Sequence, residues 1–264
     1  MSEDTLTEQT GYSSGNMSSV PPQPDEAFSI SDKLVGILTE PSLTFENVRA
    51  AGPRASDWIV PVILTAAILA IGMFLRFSNP EMMADLMQQQ TKGISERVES
   101  GDITQEQADA AMQQMRDMSG IIKVTGTLSA AVGFVIVFFF LALLYWVILR
   151  YLFKGDVTFG LVLSAAGLST YISAIDQLLS LALSFITGET FASFSPALLF
   201  DSDMTSLQGR FLAMLGPITI WTYFVLGIGF EKVARISRMK GMITAFGMLI
   251  LFTLVGSLAG MFAQ

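Results

Sequence analysis

The chain has 264 residues, of which 52% are hydrophobic and only 14% are charged. Soluble domains carry about a quarter charged residues, so this composition is typical of a membrane protein and excludes a cytosolic enzyme. With no Cys and no His, the chain cannot form a disulfide, a thiolate nucleophile, a catalytic triad or a zinc site of the His or Cys kind. A net charge of -8 argues against a nucleic-acid partner, which would require a basic face.

The N-terminal residues 1–27 are rich in Ser, Thr, Glu and Pro. This composition predicts a disordered cytoplasmic tail, because such a segment cannot bury enough apolar surface to fold. We expect no cleavable signal peptide, since the stretch is acidic and polar and has no apolar core.

Residues 28–57 predict two short juxtamembrane amphipathic helices that are separated by Pro41. Ser31 is a candidate N-cap for the first helix, and Phe45 and Val48 form a narrow apolar stripe on the second. Two placements are open: the helices lie in the membrane interface, or they fold back onto the inner ends of the bundle. The first helix has a broad apolar face, formed by Leu34, Val35, Ile37 and Leu38.

Five long apolar runs follow, and each is long enough to cross a bilayer as a helix, since about 20 residues span roughly 30 Å. The sequence therefore predicts an all-α integral membrane bundle with five transmembrane helices, in a domain covering residues 58–264. The runs cover residues 58–75, 124–149, 159–187, 211–230 and 241–264.

The distribution of Lys and Arg predicts the orientation of these spans. Nine of the 15 basic residues fall on the side of the N-terminus and six on the opposite side, and in the three short connections the bias is six to one. We therefore expect a plasma-membrane protein with a cytoplasmic N-terminus and an extracytoplasmic C-terminus.

The first connection, residues 77–120, predicts an outward-facing helical hairpin. Capping boxes at Ser78–Glu81 and Thr104–Gln107 would begin its two helices. Its second helix carries the motif M-x-x-M-x-x-M at Met112, Met115 and Met118. Thioethers are soft ligands suited to Cu(I), but a pliable apolar seam is the favoured interpretation of this motif, and we predict no cofactor or metal.

Asp176 is the only ionisable residue well inside an apolar run. A charge at mid-membrane costs about 2.5 to 3.5 kcal/mol on insertion scales, so Asp176 should face the bundle or a wet cavity. Together with Ser173 and Gln177 it forms a candidate polar site, either a hydrogen-bond anchor between helices or a proton or ion relay. Candidate partners on other spans are Ser129, Thr219 and Thr222.

The last run contains the motif G-x-x-x-G at Gly256 and Gly260. Small residues at this spacing allow two helices to approach closely in a membrane, so the pair is a candidate helix contact, within the chain or in a homo-oligomer. Two glycines four residues apart also occur by chance in apolar helices, and that alternative remains open.

Pro41–Phe45 has the pattern P-x-x-T-F, and Asp57 and Pro61 enclose three residues at the start of the first span. These motifs resemble those of the Ypt-interacting-protein (Yip) domain family in its bacterial form, over residues 31–262. The first is similar to the family's P-x-x-T-F entry, and the second is similar to its D-L-Y-G-P motif in the Asp and Pro spacing. The family-motif positions in this sequence are Pro41, Phe45, Asp57, Pro61, Gly167 and Trp221.

The resemblance implies a five-helix membrane protein without known catalytic activity. We interpret the chain as a non-enzymatic scaffold or adaptor that binds membrane or cytoplasmic proteins, with the lipid bilayer as its surroundings. The alternative is a small-solute transporter or permease subunit that uses Asp176, because Gly216-Pro217 could break the fourth span. An enzyme is not expected, since one carboxylate and no His lie within the spans.

Overall fold

The computed structural model describes residues 29–117, 119–196, 209, 211–212 and 215–262. The predicted tail therefore lies outside the described residues. All regular secondary structure in this part of the chain is helical, as the sequence predicts. Its elements are α1 (Ile30–Thr39), α2 (Pro41–Ala51), α3 (Ser56–Ser78), α4 (Pro80–Glu99), α5 (Gln105–Asp117), α6 (Ser119–Val147) with a following π-helical turn (Ile148–Leu152), α7 (Phe159–Thr187), α8 (Pro217–Ala234) and α9 (Arg238–Phe262).

Helix α7 is the centre of the bundle. It packs against α3, α6 and α8, and α9 packs on the far side of α8. The first half of α7 is almost wholly buried because it is rich in small residues that admit close neighbours. The five helices of the bundle, α3, α6, α7, α8 and α9, run alternately between its two ends. We call these the basic end, which carries α1, α2 and the turns 153–158 and 235–237, and the hairpin end, which carries α4, α5 and residues 188–196.

Among the described residues, four helices are long and apolar enough to cross a membrane: Ser56–Ser78, Lys123–Leu152, Phe159–Thr187 and Arg238–Val255. The fifth predicted span corresponds to α8, an 18-residue helix that ends at Ala234 and has Glu231 and Lys232 near its C-terminus. It runs between the same two ends as its neighbours. The prediction of an all-helical membrane bundle is confirmed, but α8 begins at Pro217 rather than at residue 211, because Pro favours the first turn of a helix.

The pair α1 and α2 folds back onto the basic end of the bundle, which is one of the two placements that the sequence left open. Ile37, Phe45 and Val48 are buried in the same apolar core as residues of α7 and α8. Ser29, not Ser31, caps α1: its hydroxyl accepts from the backbone N–H of Asp32 at 3.1 Å. Both serines are acceptable caps, and the capping box with Asp32 decides in favour of Ser29.

Two helices, α4 and α5, form the hairpin end. Asn79, rather than Ser78, caps α4 by accepting from the N–H of Glu81 at 2.8 Å. The capping box between Thr104 and Gln107 forms as predicted, with hydrogen bonds of 3.3 and 2.9 Å. The side chains of Met115 and Met118 lie outside the described residues, so the methionine motif stays a prediction.

The hairpin is attached to the bundle through the segment that follows α7. The Thr190 hydroxyl donates to the carbonyl oxygen of Met82 at 2.7 Å and to the Asp85 carboxylate at 2.9 Å. Met82 is fully buried. The start of α4 is therefore packed against the segment that follows α7.

Candidate functional site

An ion pair buried under α1 connects the N-terminal helices to the first long helix. The Lys33 ammonium donates to the Asp57 carboxylate, and the two side chains are only 8% and 1% exposed. The backbone N–H of Arg54 donates to the second carboxylate oxygen at 3.3 Å. Asp57 is a family-motif position, whereas Lys33 was only one of the basic residues counted for the orientation. Its place four residues before Ile37, on the buried face of α1, was the signal that could have identified it.

Pro61 and Gly167, two further family-motif positions, meet at the contact of α3 with α7. Pro61 has no N–H, so the helical hydrogen bond to the Asp57 carbonyl is missing. A Cβ at Gly167 would lie 3.0 Å from that carbonyl oxygen and 2.5 Å from Cα of Trp58. Only glycine fits between these backbones.

A hydroxyl group bridges the same two helices one turn further along. Thr65 is buried, and its hydroxyl lies 2.8 Å from the Pro61 carbonyl oxygen and 3.2 Å from that of Thr170. A buried hydroxyl between two backbones stabilises a close helix contact, since in lipid no water can replace it.

Phe45 joins α2 to α8 and has no exposed surface. Its ring lies where a Cβ at Gly229 would approach Cζ to 2.9 Å, so α8 needs glycine at this point. Pro41 is in the first turn of α2, as its place in the motif predicts. Phe45 therefore packs α2 against α8, and Pro41 begins α2.

Arg49 of α2 makes the most extensive polar contact of the basic end. Its guanidinium donates to the carbonyl oxygens of Asp156 and Val233, and it lies 2.5 Å from the Asp156 carboxylate. Val233 is in the last turn of α8, where the free carbonyls and the helix dipole favour a cation. The sequence analysis did not single out Arg49, because 107 residues separate it from Asp156.

A groove of about 570 Å³ lies beside Arg49 and contains charges of both signs. Lys232 pairs with Glu46 at 2.6 Å, and Glu231 pairs with Arg238 at 2.8 Å. The paired charges make this a cross-linked surface that joins α2 to α8 and α9. Its lining is Glu46, Arg49, Ala50, Glu231, Lys232, Arg235 and Ile236.

Asp176 is partly buried and faces α8. Its carboxylate is close enough to interact with the hydroxyl of Thr219, one of the candidate partners on other spans. Ser129 is exposed, and the Thr222 hydroxyl donates to the Ile218 carbonyl of its own helix at 2.9 Å. The contact with Thr219 connects the half of α7 nearer the hairpin end to the start of α8.

Of the predicted polar site, Ser173 lines the cavity that the structure describes between α6, α7 and α8. This space is mainly apolar and has a volume of about 160 Å³, and Asp176 and Gln177 are not among its lining residues. The other hydroxyl groups in the lining belong to Tyr145, Ser169, Thr170, Thr222 and Tyr223.

The other positions predicted from the sequence are on α8 and α9. Trp221 is exposed on α8 and stacks on Phe224, with ring centroids 5.6 Å apart. Gly256 and Gly260 lie in the last two turns of α9, where side-chain surroundings are not described. Their helix contact stays a prediction.

Long apolar helices packed around α7, with two short helices fixed to one end by charged contacts, define a multi-pass helical membrane protein. A sequence model of the Yip1 domain matches residues 35–259, and the chain belongs to this family. It is similar to the membrane protein YknW of Bacillus subtilis (strain 168), with 28% identity over 233 residues that cover 85% of this chain and 90% of that protein. No solved structure matches the chain.

Proposed function

We propose that this Yip-family protein is a non-enzymatic membrane scaffold or adaptor. The observation that carries the proposal is the attachment of α1 and α2 to the bundle through charged contacts at both helices. An adaptor must hold a protein-binding surface in a constant position relative to the membrane. The Lys33 and Arg49 contacts meet this requirement, because they join the short helices to α3, to α8 and to the turn before α7.

The proposed location is the plasma membrane, with the basic end in the cytoplasm. The bias of Lys and Arg in the short connections supports this orientation. In this arrangement α1 and α2 face the cytoplasm, and the hairpin of α4 and α5 projects on the opposite side. The two exposed surfaces are then available to different sets of partners.

In this proposal Asp176 anchors two helices to each other. Its interaction with Thr219 connects α7 to α8, and the carboxylate is not among the lining residues of the cavity between α6, α7 and α8. A hydrogen bond between membrane helices contributes about 0.6 to 2 kcal/mol, which is enough to fix the register of two helices.

Site-specific photocrosslinking in native membranes tests the adaptor role. A photoreactive residue at Gln113 samples the hairpin, and one at Ser237 samples the basic end; both positions are exposed. We expect discrete protein adducts at one or both positions, and none from the matched exposed position Ile136 on the apolar face of α6. Adducts to a second copy of the chain would identify a homo-oligomer. Absence of protein adducts from both surfaces would contradict the adaptor function.

A further inference from the structure

A groove of about 330 Å³ lies on the outer face of the helix pair α1–α2. Gly36 and Thr44 form its floor, and Val35 and Leu43 form its walls, with 56% and 48% of their surfaces exposed. A Cβ at Gly36 would collide with Oγ1 of Thr44, so the shape of the groove depends on glycine at this position.

The groove is separate from the contacts that attach the helix pair to the bundle. Lys33 and Ile37 are buried on the opposite face of α1, and Phe45 is buried on the opposite face of α2. The exposed face of α1 extends the apolar surface beyond the groove with Ile30 and Leu34. Exposed apolar side chains arranged along one helix face are typical of a protein interaction site.

Two carboxylates border this apolar surface. Asp32 and Glu40 both line the groove and are exposed. Hydrogen bonds from Ser29 lower the pKa of Asp32, so its carboxylate is ionised at neutral pH. The adjacent Lys33 does not neutralise this border, because its ammonium is directed inward to Asp57.

This charge pattern discriminates between the available occupants. The chain's own residues 1–28 contain five acidic residues and no Lys or Arg, so the border repels them. Anionic lipid headgroups are repelled for the same reason. A segment with Lys or Arg next to its apolar residues is attracted.

We propose that the α1–α2 groove binds an amphipathic helix of a partner protein, with apolar side chains between Val35 and Leu43 and with Lys or Arg residues opposite Asp32 and Glu40. This inference rests on the proposed adaptor function and specifies the chemistry of the partner. Helix-in-groove binding uses apolar anchors at helical spacing, and flanking charges provide orientation and specificity.

The test uses the full-length protein in nanodiscs of zwitterionic lipid and two synthetic helical peptides. Both peptides carry the same Leu face, flanked by Lys in one and by Glu in the other, and empty nanodiscs provide the background. We expect saturable binding of the Lys peptide and not of the Glu peptide. The variant Asp32→Lys/Glu40→Lys should reverse this preference, with a loss of roughly tenfold in affinity for the Lys peptide.

The variant Val35→Asn/Leu43→Asn is the test of the apolar walls and should weaken binding of the Lys peptide without changing the charges. Val35→Asn/Leu43→Asn changes exposed side chains only and should unfold at the temperature of the unaltered protein. Asp32→Lys also removes the capping bonds to Ser29, so the unfolding temperature of that double variant is measured before its binding is compared. Equal binding of the Lys peptide to the unaltered protein and to both folded variants would overturn the proposal.

Two other occupants of the groove, the chain's own residues 1–28 and anionic lipid, are tested with the single-cysteine variant Leu43→Cys. The measurement is the rate at which this cysteine is labelled. Faster labelling after deletion of residues 1–28 would assign the groove to the tail. Slower labelling on addition of anionic lipid would assign it to the membrane. Either result would overturn the partner-helix proposal. Crosslinking from Gln113 and Ser237 does not depend on this groove, so its outcome tests the adaptor function separately.

Discussion

Lys33 of α1 and Asp57 at the start of α3 form an ion pair that is buried beneath the N-terminal helices. The carboxylate lies at the basic end of a membrane-spanning helix, and the ammonium belongs to a helix outside the spans. This contact couples α1 to the bundle, and its carboxylate belongs to the family motif at Asp57–Pro61.

Removing one partner of this pair should detach α1. We expect Lys33→Met to destabilise the docked helix by about 3 kcal/mol, because it leaves the buried Asp57 carboxylate without a counter-charge. Amide hydrogen exchange of α1 is the measurement. The double variant Lys33→Met/Asp57→Leu should recover most of the protection, and equal exchange in the single and double variants would contradict the argument.

Gly167→Ala should disrupt the contact between α3 and α7. The added methyl group would lie 2.5 Å from Cα of Trp58, a backbone atom that cannot move without displacing α3. Overpacking of this kind costs about 1 to 3 kcal/mol. The matched control is Gly133→Ala in α6, where a Cβ meets nothing within 4 Å. Unfolding midpoints of both variants in detergent should differ clearly, and equal midpoints would show that α3 yields.

Arg49→Lys should loosen α2 although it retains the positive charge. An ammonium cannot donate in a planar fork to two carbonyl oxygens and a carboxylate at once. Lys232→Gln breaks a single, partly exposed ion pair with Glu46 and should cost at most about 1 kcal/mol. Hydrogen exchange of α2 compares the two variants, and a larger effect at Lys232 would refute this ranking.

Asp176→Asn should leave folding intact, since an amide can still accept from Thr219. Asp176→Leu should destabilise the bundle by about 1 kcal/mol, because the hydrogen bond between α7 and α8 is lost. Thermal unfolding in lipid discs measures both variants. If Asn abolished a pH-dependent activity at full expression, Asp176 would be a relay rather than an anchor.

The proposed orientation predicts opposite labelling of two exposed positions. In a chain without native Cys, a cysteine at Asp102 should react with an impermeant maleimide from outside intact cells, and one at Ser237 should react only after permeabilisation. Labelling of both cysteines from the same face would contradict the three spans α6, α7 and α8 between the hairpin and turn 235–237, because an odd number of spans places the two positions on opposite faces. Exchange of the two faces would reverse the orientation and keep the helices.

Local features were predictable where they depend on neighbouring residues. The capping box of Thr104 and Gln107 forms as expected, because its partners are three residues apart. At Ser29 and Asn79 the sequence analysis instead assigned the cap to a residue one or two positions away. Several polar residues stand at each of these starts, and only the backbone geometry selects one of them.

The sequence by itself determined the membrane class, the apolar helices and the family motifs, because hydropathy and spacing are properties of consecutive residues. Only the tertiary structure decided which polar groups pair. Lys33 meets Asp57, and Arg49 meets Asp156, through contacts between residues that are 24 and 107 positions apart. The tertiary structure also showed that α1 and α2 lie on the bundle. The sequence could not decide this, because the membrane interface and the end of the bundle are both suitable for an amphipathic helix. Burial of Phe45 and the two charged contacts favour the bundle, and these depend on side chains from distant helices.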